Sequence, residues 1–210
     1  AIREQIESTV GQLFPTGKPA AVGVGFGGPV DWKTGRICCS HQIEGWSEFE
    51  FGDWLRELTG LPVRVDNDAN TAALGEAARG AGVGFNSVFF VTLGSGVGGG
   101  LVVDGKIYHG AKPGEAEVGH LLLDRQGTIV EARCSGWAVD KKIRQLQTTQ
   151  PDSLLAHWTR NETGGEARHL IPAFEQGDPA ARAILTECAG DLAFALSHVT
   201  HLFHPEIIVL

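Results

Sequence analysis

Two groups of residues have the types and spacing to do chemistry. The first is the run Asp66-Asn67-Asp68-Ala69-Asn70, with two carboxylates and two amides at a strand-to-helix junction. Such side chains accept hydrogen bonds from the first N–H groups of a helix, so N-capping is one reading. The other is that Asp68 projects from the strand end and accepts the proton of a substrate hydroxyl. The second group is Thr92-Leu93-Gly94-Ser95-Gly96-Val97-Gly98-Gly99-Gly100. A strand, a glycine-rich turn and a returning strand can aim backbone N–H groups at a phosphate, because no Cβ keeps the ligand away. Ser95 adds a hydroxyl donor. A tight turn at a crowded packing site is the plainer alternative.

Other residues are weaker candidates. Glu117-Val118-Gly119-His120 has the Glu-x-x-His spacing of a helical carboxylate metal site. Gly119 and the following Leu121-Leu122-Leu123 favour a strand over Glu117–Leu123, and the spacing then supports no metal. His198, His201 and His204 recur at helical spacing just before Pro205, where polar capping is ordinary. Phe49, Phe51, Trp54 and Leu55 read as core, and Asp140-Lys141-Lys142 with Arg144 as a solvated helix face. Gly23, Gly25 and Gly28, and again Gly94, Gly96 and Gly99, fit Gly-x-Gly-x-x-Gly. A dinucleotide fold needs a helix directly after that loop. The first loop runs into Pro29 and the second into a strand, which excludes a nicotinamide cofactor.

The elements that must position these groups are legible from pattern. A helix is predicted over residues 1–14, a strand over Ala20–Phe26, and a helix over Phe49–Thr59 closed by Gly60. A strand over Pro62–Asp66 and a helix over Ala69–Arg79 flank the carboxylate run. Strands follow at Val88–Leu93, Gly99–Val103 and Lys106–Tyr108, the last two joined by the hairpin signal Asp104-Gly105. From Ser135 the chain is mostly helical, and a last strand starts after Pro205. Mixed strands and helices followed by helices make an α/β pattern.

Composition bounds the class. The 210 residues carry 17 Lys and Arg against 25 Asp and Glu, a net charge of −8 that disfavours a nucleic-acid surface. The 42% hydrophobic content supports a buried core, and no apolar run approaches a membrane span. Four cysteines without framework spacing read as reduced thiols, and hence a cytoplasmic location. There is no methionine, and the ends fall within a helical and a strand pattern, so a fragment or unrecorded flanks are expected.

In order, "GFGGPVD", "IEGWSEF", "PVRVDNDANTAALGEAARG", "VFFVTLGSGVGGGLVVDGKIYHGAKPGEAEVGH" and "HPEIIVL" resemble the motifs of sugar kinases of the ROK family over nearly the whole chain. The resemblance implies an α/β, actin-like, ribonuclease-H-like ATPase fold of two lobes, with the smaller lobe over 1–84 and the larger over 85–210. It implies ATP with Mg2+, and transfer of the γ-phosphoryl group to a hexose hydroxyl, glucose first among substrates. Asp68 becomes the general base; Asn67, Glu117 and His120 bind sugar hydroxyls; and Gly94, Ser95, Gly96 and Gly98 cradle the nucleotide phosphates. Glu131-Ala132-Arg133-Cys134-Ser135-Gly136 matches a further Glu-x-x-x-Ser-Gly sugar motif, which nominates Glu131. The sequence departs from the family where a zinc module should stand between His120 and Glu131, so no structural zinc is expected. Gln42 stands where the family often has Asn. A first phosphate hairpin is expected before Ala1 and adenosine-binding glycines after Leu210. The alternatives are the sugar-sensing domain of a ROK repressor and an inactive fragment. Neither nucleic acid nor membrane is an expected partner of the chain, and a homo-oligomer is compatible with the sequence.

Overall fold

A computed structural model describes residues 2–14, 17, 19–40, 43–112 and 116–210. Gln42 lies outside them. The chain divides into two compact units, the first of residues 1–84 with 100–116 and the second of residues 85–99 with 117–210. Residues 100–116 thus count with the first unit.

In the first unit, helix α1 (Ile2–Leu13) precedes strand β1 (Val22–Phe26) and the short strands β2 (Val30–Asp31) and β3 (Arg36–Ile37). Helix α2 (Phe51–Thr59), strand β4 (Val63–Asn67) and helix α3 (Asp68–Arg79) follow. β1 and β4 pair in parallel, from Val22 opposite Val63 to Phe26 opposite Asn67. This register brings the Gly27-Gly28-Pro29 loop beside the carboxylate run. Alternation along β4 buries Val63, Val65 and Asn67. The two valines join Phe26, Val30, Ile37, Trp46, Phe51 and Leu55 in the core. α2 stops at Gly60, whose left-handed backbone (φ 66°) donates its N–H to the Arg56 carbonyl. Strand β6 (Val97–Val103) enters this unit at Gly100 and turns into β7 (Lys106–Ile107). Asp104 and Gly105, at φ 52° and 69°, make the two-residue turn whose twist suits a hairpin.

In the second unit, β5 (Ser87–Leu93) pairs in parallel with β8 (Ile207–Val209). Although residues 100–116 count with the first unit, β6 and β7 continue this pair as a four-stranded sheet in the order β7-β6-β5-β8. Helices α4 (Glu131–Cys134), α5 (Gly136–Thr149), α6 (Leu154–Trp158), α7 (Leu170–Glu175) and α8 (Pro179–Phe203) make up most of the rest. Val139, Ile143, Leu146, Leu155, Ala173, Ala181 and Ile184 form its core. Asp178 caps α8 through the N–H groups of Ala180 and Ala181 and also accepts from Leu155 N. Its far end closes at His204, in left-handed backbone with its N–H on the Thr200 carbonyl.

The strand expected over Glu117–Leu123 is absent. Val118–His120 is a single 3₁₀ turn, and only Leu122 makes an isolated bridge, to Ile129. Gly119 in this turn packs against β6 so closely that a Cβ there would stand 2.2 Å from the Val97 carbonyl oxygen. No helix among the described residues is long and apolar enough to cross a membrane.

Candidate functional site

The first unit organises the carboxylate run by division of labour. Asn67 is the N-cap of α3: its Oδ1 accepts from Ala69 N at 2.9 Å and Asn70 N at 3.1 Å. Its amide group donates to the Gly28 carbonyl at 3.4 Å, and its second amide proton has no acceptor among the described residues. Asp66 braces the junction from the strand side. Its Oδ1 accepts from Asn67 N at 2.8 Å and from Asn70 Nδ2 at 3.1 Å, while its Oδ2 is 2.7 Å from His109 Nε2. The Trp32 ring stacks on His109 with centroids 4.1 Å apart. Asp68, the first residue of α3, is exposed, and one oxygen accepts from Ala69 N at 2.9 Å. Its other oxygen has no partner among the described residues. Capping therefore falls to Asn67 and bracing to Asp66, and Asp68 is the carboxylate left available.

Two glycines of the first Gly-x-Gly-x-x-Gly pattern have structural work here. A Cβ at Gly25 would stand 3.2 Å from the Asp68 backbone, so glycine lets α3 start against β1. Gly28 has φ +152° and would meet the Cys39 carbonyl at 3.0 Å.

In the second unit the glycine turn is held from three sides. Gly94 N–H donates to the Gly96 carbonyl at 3.0 Å, closing the turn. The Gly94 and Ser95 carbonyls accept from Gly136 N and Trp137 N at 2.8 and 3.4 Å, so the start of α5 is spent on the turn. Ser135 caps that helix through Ala138 N. The Glu131 carboxylate accepts from Val97 N at 2.9 Å. A Cβ at Gly96 would fall 2.5 Å from that carboxylate. What remains are the N–H groups of Ser95 and Gly96, which take no acceptor among the described residues. The space over Gly94 is open, with no atom within 4 Å of where a Cβ would stand. Unspent N–H groups beside an open glycine fit a phosphate oxygen. Gly98 lies within strand β6, outside the turn.

Glu131 thus stands against the turn with one oxygen spent and the other without a partner among the described residues. His120 and Glu117 are both well exposed, at 63% and 49%, and the imidazole Nδ1 is 3.8 Å from the carboxylate, beyond hydrogen-bond length. Among the described residues no three His, Cys, Asp or Glu side chains are grouped to hold a metal ion. Sequence reasoning missed His109 and Trp32. They lie dozens of residues from Asp66, and nothing in their local patterns marks them.

The ROK family model matches residues 1–210. Glucokinase of Halalkalibacterium halodurans is 34% identical over 92% of this chain, which spans 62% of that protein's length. A crystal structure of a ROK family glucokinase from Streptomyces griseus, in complex with glucose and AMPPNP, superimposes on 98% of this chain and 69% of its own, with a TM-score of 0.80 at 32% identity. A ROK family transcriptional regulator matches in fold, with a TM-score of 0.83 at 24% identity over 99% of this chain and 54% of its own. The mixed α/β arrangement described above is the actin-like, ribonuclease-H-like ATPase fold.

Proposed function

The chain belongs to the ROK family, and from that premise we propose that it is the greater part of an ATP-dependent kinase that phosphorylates a hexose hydroxyl, with glucose the first candidate substrate. The observation that carries this reading is Asp68. Its neighbours Asp66 and Asn67 are consumed in bracing and capping, and of the three it is the one that is exposed. In the reaction it accepts the proton of the attacking hydroxyl, a contribution typically worth about 10²–10⁴-fold. The Ser95 and Gly96 N–H groups, with the Ser95 hydroxyl, hold the nucleotide phosphates as fixed partial positive charges. The free oxygen of Glu131 accepts from a sugar hydroxyl, as do Glu117 and His120. The remaining amide proton of Asn67 donates to another.

The glycine turn fits the phosphates of a nucleotide, whereas the described side chains gather no group of three or more metal-binding residues. Magnesium would accordingly be carried largely by phosphate oxygens and water, supplying neutralisation of charge on the transferring group. A repressor-type sugar sensor of the same fold would need neither an available Asp68 nor an open phosphate turn, and both features favour the kinase. A cytoplasmic location suits this role.

The test is a coupled assay of the protein with its natural flanks, run with a panel of hexoses and with ATP or polyphosphate as donor. Asp68→Asn is expected to bind sugar as the parent does while kcat falls by about two orders of magnitude or more. Sugar binding without turnover in the parent protein would favour the sensor. Near-parental kcat in Asp68→Asn would remove Asp68 from the chemistry.

A further inference from the structure

Two of the four cysteines face each other in the second unit, outside the residues assigned above. Cys134 ends α4 and is 7% exposed, while Cys188 lies in the middle of α8 and is half-buried. The Cys134 sulfur is 3.5 Å from the Cys188 carbonyl oxygen. The Cys188 sulfur is 3.4 Å from the Arg133 carbonyl, the peptide group that leads into Cys134. The Cys134 sulfur therefore rests on the Cys188 backbone and the Cys188 sulfur on the peptide group just before Cys134, a reciprocal closeness of the two segments that a disulfide requires. A cation completes the group. Lys142 Nζ donates to the Cys188 sulfur at 3.5 Å and to the Arg133 carbonyl at 3.0 Å, and pairs with Glu187 at 3.4 Å.

We propose that Cys134 and Cys188 form a reversible dithiol–disulfide site oxidised by peroxides, with Cys188 as the attacking thiol and Cys134 as the resolving one. Lys142 and exposure set the order: Cys188 is the more accessible of the two cysteines, and the Lys142 ammonium that donates to its sulfur stabilises the negative charge carried through its reaction. Burial pushes the Cys134 thiol up to about 11, with the neighbouring Cys188 charge as the next cause, so Cys134 remains a thiol until Cys188 has reacted. In the first step the Cys188 sulfur, giving up its proton, attacks a peroxide oxygen. An S–O bond forms, the O–O bond breaks and hydroxide leaves. In the second, the Cys134 sulfur attacks the Cys188 sulfur. The S–S bond forms, the S–O bond breaks, and the departing hydroxide takes the Cys134 proton as water. Two thiols lose two electrons and one hydrogen peroxide becomes two waters. The bond would tie α4 to α8 across 54 positions of sequence. It would do so three residues beyond Glu131 and next to Ser135 and Gly136, which hold the glycine turn. This inference does not depend on the kinase reading.

The experiment treats the native, reduced chain with hydrogen peroxide, blocks remaining thiols with iodoacetamide and maps unreduced peptides by mass spectrometry. The expected result is a peptide pair joined through Cys134 and Cys188, two hydrogens lighter than the free pair and released by dithiothreitol, with Cys38 and Cys39 still alkylated. The crosslink should also raise the melting temperature, because it restricts the unfolded chain. Cys188→Ser should leave Cys134 alkylated. Lys142→Gln, checked for folding by circular dichroism, should slow crosslinking several-fold. Oxidation of Cys188 to sulfinic acid without a crosslink, or consumption of Cys38 and Cys39 first, overturns the pair. A parental rate in Lys142→Gln overturns the role of the lysine. If Cys188→Ser does not fold, a brief N-ethylmaleimide pulse on the parent decides the order: Cys188 must label before Cys134.

Discussion

Asn67 and Asp68 are adjacent, isosteric in outline and oppositely employed. Asn67 is buried, and its carbonyl oxygen satisfies two orphan N–H groups of α3. Asp68 is exposed and satisfies only its neighbour's N–H. The two positions should therefore separate stability from turnover. Asn67→Ala is expected to cost about 0.5–2 kcal/mol, as loss of an N-cap does. Urea unfolding would register it as a lower midpoint at unchanged slope. Asp68→Asn should unfold close to the parent while losing turnover. A stability loss at Asp68 as large as that at Asn67 would mean that Asp68 is a structural carboxylate.

At the scale of elements, glycines decide how the 3₁₀ turn, α4 and β6 approach one another. Gly96 and Gly119 look equivalent in sequence, but their neighbours differ in compliance. A Cβ at Gly96 meets the end of the Glu131 side chain at 2.5 Å, which can swing aside by giving up its bond to Val97 N. A Cβ at Gly119 meets the Val97 backbone carbonyl at 2.2 Å, and backbone in a sheet cannot yield so cheaply. Gly119→Ala is accordingly expected to destabilise the protein by several kcal/mol, a large effect for one methyl group. Gly96→Ala should cost much less stability, yet raise the KM for sugar through the displaced Glu131. Thermal denaturation and sugar titration of the two variants distinguish these outcomes. Equal loss of stability in both would show that the Glu131 contact is as rigid as the backbone one.

For the whole molecule, the acid limb of stability follows from three carboxyls held below their ordinary range. A hydrogen bond from Lys112 lowers Asp31, the Thr128 side chain with turn N–H groups lowers Asp124, and His169 followed by Arg168 lowers Glu162. A carboxyl lowered in the folded state contributes stability above its unfolded pKa and loses it as pH falls through the folded value. Unfolded carboxyls titrate near about pH 4, so stability should decline from there downward. Asp124 is exposed, while the Asp31 and Glu162 side chains are only 14% and 21% exposed, so most of the decline should come from those two. Asp31→Asn should make the fall in melting temperature between about pH 4 and pH 3 shallower than in the parent; identical slopes would clear Asp31 of any part. Metal content is also a whole-molecule property. Elemental analysis of protein purified without chelators is expected to find far less than one zinc per chain. One tightly held equivalent would point to ligands beyond those described.

The α/β class and the positions of the two candidate groups were legible because they rest on local pattern, while the actin-like fold was implied only by the resemblance to ROK kinases. Helix α2 ends at Gly60 because a left-handed cap favours glycine, and β6 turns into β7 at Asp104-Gly105 because the hairpin needs two positive φ angles. The run around Asp68 and the turn at Gly94–Gly96 announce themselves by composition. Tertiary contacts decided the rest. Composition and spacing alone did not separate Asp68 from Asp66 and Asn67, and the resemblance named it; which of the three is left available depends on Asn70, Gly28 and His109 arriving at particular atoms. Sequence misjudged Glu117–Leu123 as a strand because the leucines suggest one, whereas the segment turns at Val118–His120 where Gly119 packs against Val97, a tertiary contact the local pattern does not encode. Nor could it foresee that Glu131 would rest on the glycine turn, or that Cys134 would meet Cys188. Such pairings bring together residues 34 and 54 positions apart. Local propensity carries no information about them, because their free energy is gained only when the intervening chain has packed.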